Sequence, residues 1–289
     1  DLTNVTALAA SSLADLGTLA TAISNSEFSN ATGLTTIAVS DTTIDATTLA
    51  ARIDAYDTIN GDSATTGMIL ASGATINVDA SEVTAMLGDE DGGRLTISDQ
   101  AITVTGAITV DVANDLGITT GGKVTATIAT TETVAELATL SADGGTNDLT
   151  IAVRSEDATA ATAEQLNAID AATAVAVDAR AVTELSGSYS DLVTLYGSSG
   201  VTGLENENIT ITGGSLTVTQ ANAIDLLTTG VVTASIVTTE TVDSLKTLTG
   251  TNNAYTIVIS ETSASASDLN AINGLTTATV DLTNVTSVT

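Results

Sequence analysis

The sequence predicts a mainly β protein, an elongated parallel β-solenoid of ~20–30-residue rungs with short helices between the strands. Three observations lead there: repeats at three length scales, short strand-like segments at a near-regular rhythm, and an apolar content with almost no aromatic rings.

The repeats come first, because they decide the architecture. Residues 124–140, VTATIATTETVAELATL, return as residues 232–248, VTASIVTTETVDSLKTL, with 12 of 17 positions identical. The motif Asn-Ala-Ile-Asp/Asn begins at Asn167, Asn222 and Asn270, each time after an alternating apolar segment (Ile151-Ala152-Val153, Ile209-Thr210-Ile211, Ile257-Val258-Ile259). DLTNVT occupies residues 1–6 and again residues 281–286, six identical residues 280 apart. That spacing marks a long period. Residues 1–289 then read as a single continuous array, one ~280-residue copy of a longer repeat protein with a short overlap.

The strand rhythm follows. Segments rich in Ile, Val and Thr with period-two alternation lie at residues 36–39, 76–78, 95–97, 108–110, 124–128, 149–153, 175–177, 209–211, 232–236, 255–259 and 277–280, which is strand chemistry. Between them lie Ala- and Leu-containing pieces at residues 131–140, 163–170, 240–248 and 267–273. In one of these Val242, Leu245 and Leu248 fall three apart on one helical face. Helices of about two turns need packing to persist. One rung cannot bury its apolar face, whereas stacked rungs can. The absence of Pro fits stacked strands, since Pro would delete a ladder hydrogen bond. Paired glycines at Gly92-Gly93, Gly121-Gly122, Gly144-Gly145 and Gly213-Gly214 supply corners. A string of β-sandwich modules would show strands every ~8–12 residues and little helix, which the helical pieces oppose. The asparagines Asn167, Asn222 and Asn270 are expected to stack as an amide ladder inside a corner, satisfying buried backbone groups.

Composition bounds function by exclusion. The chain has 35 acidic and 6 basic residues, a net charge of −29, and no Cys, His, Pro or Trp. A nucleophile paired with His cannot exist, common zinc sites lack their ligands, and disulfides are impossible. Six cations cannot neutralise a phosphate backbone, so nucleic acid is not an expected partner. No run of 18 apolar residues occurs, so no membrane insertion is expected. Aromatics are only 2% of the chain, which leaves Ile, Val, Leu and Ala to build the core. So acidic a surface fits an extracellular or saline setting, where salt screens self-repulsion beyond about 10 Å.

Catalysis would have to run on carboxylates. With 35 of them, close pairs are inevitable and carry no diagnosis, and the six cations Arg52, Arg94, Lys123, Arg154, Arg180 and Lys246 are scattered in sequence. The expectation is that the chain is not an enzyme. Calcium is the better chemical candidate, because it takes six to eight oxygens from carboxylates and carbonyls in flexible turns. Three turns offer that chemistry, with Asp89 and Asp91, Asp143 and Asp148, and Glu205 and Glu207 as the metal candidates. None fits the D-x-[DN]-x-[DN]-G loop, and the same residue types also make plain solvated turns.

Residues 185–226, LSGSYSDLVTLYGSSGVTGLENENITITGGSLTVTQANAIDL, and residues 260–286, SETSASASDLNAINGLTTATVDLTNVT, carry a resemblance. They resemble repeats in the giant, repetitive cell-surface proteins of marine cyanobacteria and in related type I-secreted adhesins. The resemblance implies secretion, a filamentous or surface-bound role, and folding aided by external Ca2+. It carries over no catalytic residue, and the G-G-x-G-x-D-x-U-x calcium array of some adhesins is absent.

The functional expectation is therefore a structural repeat segment of an extracellular fibre, surface layer or filament, secreted or at the cell surface. Its expected partners are copies of itself, end to end or side by side. A stalk of a bacterial adhesin whose binding head lies elsewhere is the alternative, and a carbohydrate-active β-solenoid enzyme is third.

Overall fold

The computed structural model describes residues 4–28, 36–59, 67–141, 147–250 and 252–289. Helix makes up 34% and strand 25%, in parallel sheets with helices interleaved. The expectation of a mainly β solenoid is thereby corrected: the chain is mixed α/β. The physical reason lies in the segments joining the strands. Four of them are helices of 12, 14, 9 and 10 residues in the first half, where the apolar spacing is too irregular to announce them. Ser or Thr hydroxyls at N-cap positions fix most helix starts. Ser12, Thr109, Thr133, Ser188, Thr217, Thr241 and Ser265 each accept a hydrogen bond from the amide three residues on. The Thr and Ser content that reads as strand propensity therefore also specifies helix starts.

The chain divides into two compact units. The first comprises Asp1–Ala129, Leu140–Thr150 and Ala172–Ala174. Its elements run β1 (Ala7–Ser11), α1 (Leu13–Ser24), β2 (Thr36–Val39), β3 (Thr43–Asp45), α2 (Ala46–Ile59), β4 (Gly67–Ile69), β5 (Thr75–Asp79), α3 (Val83–Asp91), β6 (Leu95–Thr96), β7 (Ala101–Ile108), α4 (Val110–Thr119), β8 (Val124–Ile128) and β9 (Asp148–Thr150). One parallel sheet has the order β1-β2-β4-β6 and the other β3-β5-β7-β8-β9. Register places like on like: Leu8 faces Ile37, Ile37 faces Met68 and Met68 faces Leu95. Ile44, Ile76, Ile102 and Val124 form the matching column of the second sheet. Side chains alternate across a strand, so each column fills one face with aliphatic groups. All but Leu8 are buried. The segment read as a strand at residues 108–110 straddles the end of β7 and the start of α4.

The second unit comprises Thr130–Thr139, Ile151–Ala171 and Val175–Thr289. It runs α5 (Val134–Leu137), β10 (Ala161–Thr162), α6 (Ala163–Ala171), β11 (Val177–Asp178), β12 (Glu184–Gly187), α7 (Tyr189–Gly197), β13 (Val201–Thr202), β14 (Asn208–Ile211), α8 (Val218–Asp225), β15 (Val232–Ser235), α9 (Val242–Leu245), β16 (Ala254–Thr256), β17 (Ser263–Ala264), α10 (Ala266–Asn273) and β18 (Ser287–Val288). A parallel sheet of order β10-β12-β14-β15-β16 is accompanied by the pairs β11-β13 and β17-β18. Leu185, Ile209 and Val232 stack in register. The helical pieces read at residues 163–170 and 267–273 are α6 and α10; the strand read at residues 277–280 is not one.

Candidate functional site

The side chains with specific geometry lie where one strand–helix repeat meets the next. Three devices recur there, and each starts from a backbone group that would otherwise be unsatisfied.

The first acts at helix N-termini, where the leading amides have no intrahelical partner. A carboxylate from the following repeat supplies one. The Leu13 amide donates to Asp41 Oδ2 at 2.7 Å, Val134 to Asp157 Oδ2 at 2.7 Å, Val218 to Glu240 Oε1 at 2.9 Å, and Val242 to Glu261 Oε1 at 2.7 Å. The positive end of the helix dipole favours negative charge there. Burial raises the Asp157 carboxyl, but hydrogen bonds from Arg154 and from the Val134 amide outweigh it and hold Asp157 below the ordinary aspartate range. Sequence reasoning missed these acids. Their signal is an Asp or Glu some 19 to 28 residues after the first residue of a capped helix.

The second device is the Asn-Ala-Ile-Asp motif. The Asn167 amide donates to the Asp191 carbonyl at 3.0 Å. Asn222 donates to the Thr247 carbonyl and accepts from the Thr249 amide, both at 2.8 Å. Asp170 and Asp225 accept from Ser198 and Thr249 hydroxyls at 2.6 and 2.8 Å. The expected amide ladder is thus corrected: these asparagines bond the backbone of the next repeat rather than one another. Asn114, in a variant of the same segment, accepts from the Ser141 amide at 2.8 Å.

The third device is a corner. Gln100 accepts from the amides of Ser98 and Asp99 and donates to the Ala71 carbonyl at 3.0 Å. The Thr120 hydroxyl donates to the Gln100 carbonyl at 2.5 Å and accepts from the Gly122 amide. A Cβ at Gly122 would sit 2.3 Å from the Gln100 carbonyl oxygen, so only glycine fits. Glu207, Thr228 and Gly230 reproduce this corner in the second unit.

The six calcium candidates fare differently. Asp89 binds Arg94 Nη1 at 2.7 Å, and burial pushes its carboxyl above the ordinary aspartate value, with Arg94 opposing. Asp91 is exposed at the end of α3. Asp143 lies outside the described residues. Asp148 pairs with Lys123 Nζ at 2.5 Å. Glu205 is exposed, and Glu207 is fully buried in the corner just described. Among the described residues no group of three or more acidic side chains is placed to hold a metal ion.

The cations are equally committed. Arg94 also holds Asp54 and Asp57, at 2.8 and 2.5 Å. Arg154 pairs with Asp157, Arg180 with Asp178, and Lys246 with Asp243 and Asp268. Arg52 donates to the Leu13 carbonyl at 3.2 Å. A crevice of about 110 Å³ between α2 and α3 has Leu49, Ile53, Met86 and Leu95 in its walls, with Glu82 and Asp89 beside them. Both acids are already engaged, Asp89 by Arg94 at 2.7 Å and Glu82 by the Thr47 hydroxyl at 2.8 Å.

The chain matches no protein-family model, no curated protein and no solved structure.

Proposed function

We propose that this chain is a structural segment of an extracellular fibre, surface layer or filament, and that it has no catalytic role. One observation carries the reading. Beyond the local helix caps, a recurring set of polar side chains joins each repeat to the next, through carboxylates on helix amides, asparagines on backbone, and Thr–Gly corners. Such a plan fits a protein whose work is to continue its own pattern.

The charge distribution supports the setting. All six cations are occupied by carboxylates or a carbonyl, so the outward charge is almost wholly negative. An acidic exterior keeps a repetitive protein dispersed, and salt or divalent cations relieve its self-repulsion. Immunogold labelling of the producing cells with antibodies to this chain tests the reading. Label on the cell surface or on extracellular filaments is expected, and label confined to the cytosol would overturn it.

A further inference from the structure

In the second unit a cleft of about 270 Å³ lies between the start of α7 and the loop that leads from β14 into α8. Its place in the fold has a match in the first unit. There β7 runs through Thr105-Gly106-Ala107-Ile108 to the capping Thr109. Here the path reads Thr212-Gly213-Gly214-Ser215-Leu216 to the capping Thr217, one residue longer.

The shorter path is closed. Ala107 and Ile108 pair with Thr127 and Ile128, the Thr105 carbonyl accepts from the Ala80 amide at 2.8 Å, and a Cβ on Gly106 would lie 3.2 Å from the Ala80 Cβ. The longer path is open. β14 ends at Ile211, Gly213 and Gly214 turn with φ of +79° and +151°, and a Cβ on either would meet nothing within 4 Å. Glycine is the residue that takes such a detour at no steric cost.

The cleft offers uncharged groups that nothing else uses. The amides of Gly213, Gly214 and Ser215 donate to no group among the described residues, and neither do the hydroxyls of Ser190, Thr212 and Ser215. Gln220 is fixed at one end: its Oε1 accepts from the Thr217 amide at 3.0 Å and from the Thr217 hydroxyl at 3.2 Å, while its Nε2 has no partner among the described residues. The half-buried ring of Tyr189 lines the same cleft.

These groups select the chemistry of a ligand. The chain carries a net charge of −29, so the whole molecule repels an anion. A hard cation takes six or more oxygens with carboxylates among them, and the side chains of these walls are uncharged. Amides and hydroxyls suit a neutral ligand covered in hydroxyls, each of them donor and acceptor. The tyrosine face suits one that also has an apolar side. Tyr with Ser and Gly is a combination that recognises polar surfaces at low entropic cost. The volume matches one sugar ring, and walls without a pair of carboxylates bind such a ring without cleaving it.

We propose that this cleft binds a single neutral hexose ring, with Gln220 Nε2 and the amides of Gly213, Gly214 and Ser215 donating to its hydroxyls and Tyr189 against its apolar face. The site goes beyond the structural role and does not depend on it.

Amide chemical shifts of the full chain test it, followed while the methyl glycosides of glucose, galactose and mannose are each added into the millimolar range. At least one should give saturable shifts confined to residues 188–190 and 211–220. Gln220→Glu keeps the helix cap, since Glu136 forms the same box with Thr133 in α5, but it gives up both Nε2 protons. It should weaken binding about tenfold, the weight of one to two hydrogen bonds, at an unchanged melting temperature. Tyr189→Ala should weaken it by a similar factor. Ile118→Thr, in the other unit, should leave it as it was. Sodium sulfate added in parallel should give no saturable shifts. Silence with all three glycosides, binding indifferent to Gln220→Glu, or sulfate saturating the same amides would overturn the proposal. Surface labelling of cells without glycoside binding would remove this site and leave the structural role standing; glycoside binding with cytosolic labelling would do the reverse.

Discussion

The corner at Gln100 and the corner at Glu207 have the same backbone and differ by one atom. Each turns through a buried Thr whose hydroxyl donates to the carbonyl of residue 100 or 207, and each needs Gly two residues after that Thr. Each side chain also accepts two local amides. At Gln100 the second end is an amide that donates to the Ala71 and Asp99 oxygens. At Glu207 it is an oxygen, Oε1, buried without a partner. The comparison separates what the backbone demands from what the side chain adds. The turn is kept in both units, while its hydrogen bonding is complete in only one. An orphaned buried acceptor costs about 1–3 kcal/mol.

The largest effect should come from what the corners share. Gly122→Ala and Gly230→Ala each drive a Cβ to 2.3 Å from a backbone oxygen that cannot step aside. Each should cost roughly 2–3 kcal/mol, read as matching falls in melting temperature. A silent substitution at either site would show that the two corners are not equivalent.

The next effect tests the difference. Gln100→Glu loses the donors to Ala71 and Asp99 and turns an acceptor toward the Ala71 carbonyl, so it should destabilise by about 2 kcal/mol. Glu207→Gln should stabilise by about 1 kcal/mol. Ala179 stands 108 positions beyond Ala71 and accepts the same turn bond, from Val182 at 3.0 Å as Ala71 does from Ala74 at 3.2 Å. Its carbonyl is the expected acceptor for the new amide. Chemical denaturation of both variants decides. Equal and same-signed changes would break the comparison.

These corners also show how far the sequence could be read. The repeat of residues 124–140 at 232–248 follows directly from them, and many strand positions were legible because Ile and Val alternate with Thr. The corner itself was not. Gln100 and Glu207 are different residue types, and their equivalence rests on hydrogen bonds to amides one and two residues away. The helices were missed for a related reason. In α2 the apolar positions Leu49, Ile53 and Tyr56 are diluted by Thr, Ala and Asp, and its start is capped by Asp45, which accepts from the Thr48 amide at 2.9 Å, a cap hidden in a segment that reads as strand. The buried corner at Glu207 was not legible either, because acid-plus-Asn spacing is shared by solvated turns, metal loops and buried corners alike.

A smaller effect distinguishes the units by pH. Each buries one tyrosine completely, Tyr56 and Tyr255. Burial pushes the Tyr56 hydroxyl from 10.0 up to about 12, against a weaker pull from Arg52, and it donates to the Leu16 carbonyl at 3.1 Å. Burial raises Tyr255 as well, with Asp225 adding to it and an Asn253 hydrogen bond opposing. The folded chain therefore holds these protons more tightly than the unfolded chain. The stability this gives is complete below pH 10 and fades as pH rises through about 12. Tyr56→Phe should flatten that alkaline loss in the first unit and leave it in the second. Amide hydrogen exchange followed across the alkaline range separates the two units.

The smallest effect is expected where the corners' neighbours face outward. Ile118 and Leu226, again 108 positions apart, are 80% and 83% exposed. Each lies two residues before the corner Thr, in the last turn of α4 or just past α8. An aliphatic side chain already in water gives up little on replacement, so Ile118→Thr and Leu226→Thr should each shift stability by less than about 0.5 kcal/mol. They should do so equally in the two units if exposure alone governs. A loss above about 1 kcal/mol at one site only, or one that grows with protein concentration, would mean that this flank is covered in solution by another copy. The two corners would then differ in what lies against them as well as in one buried atom.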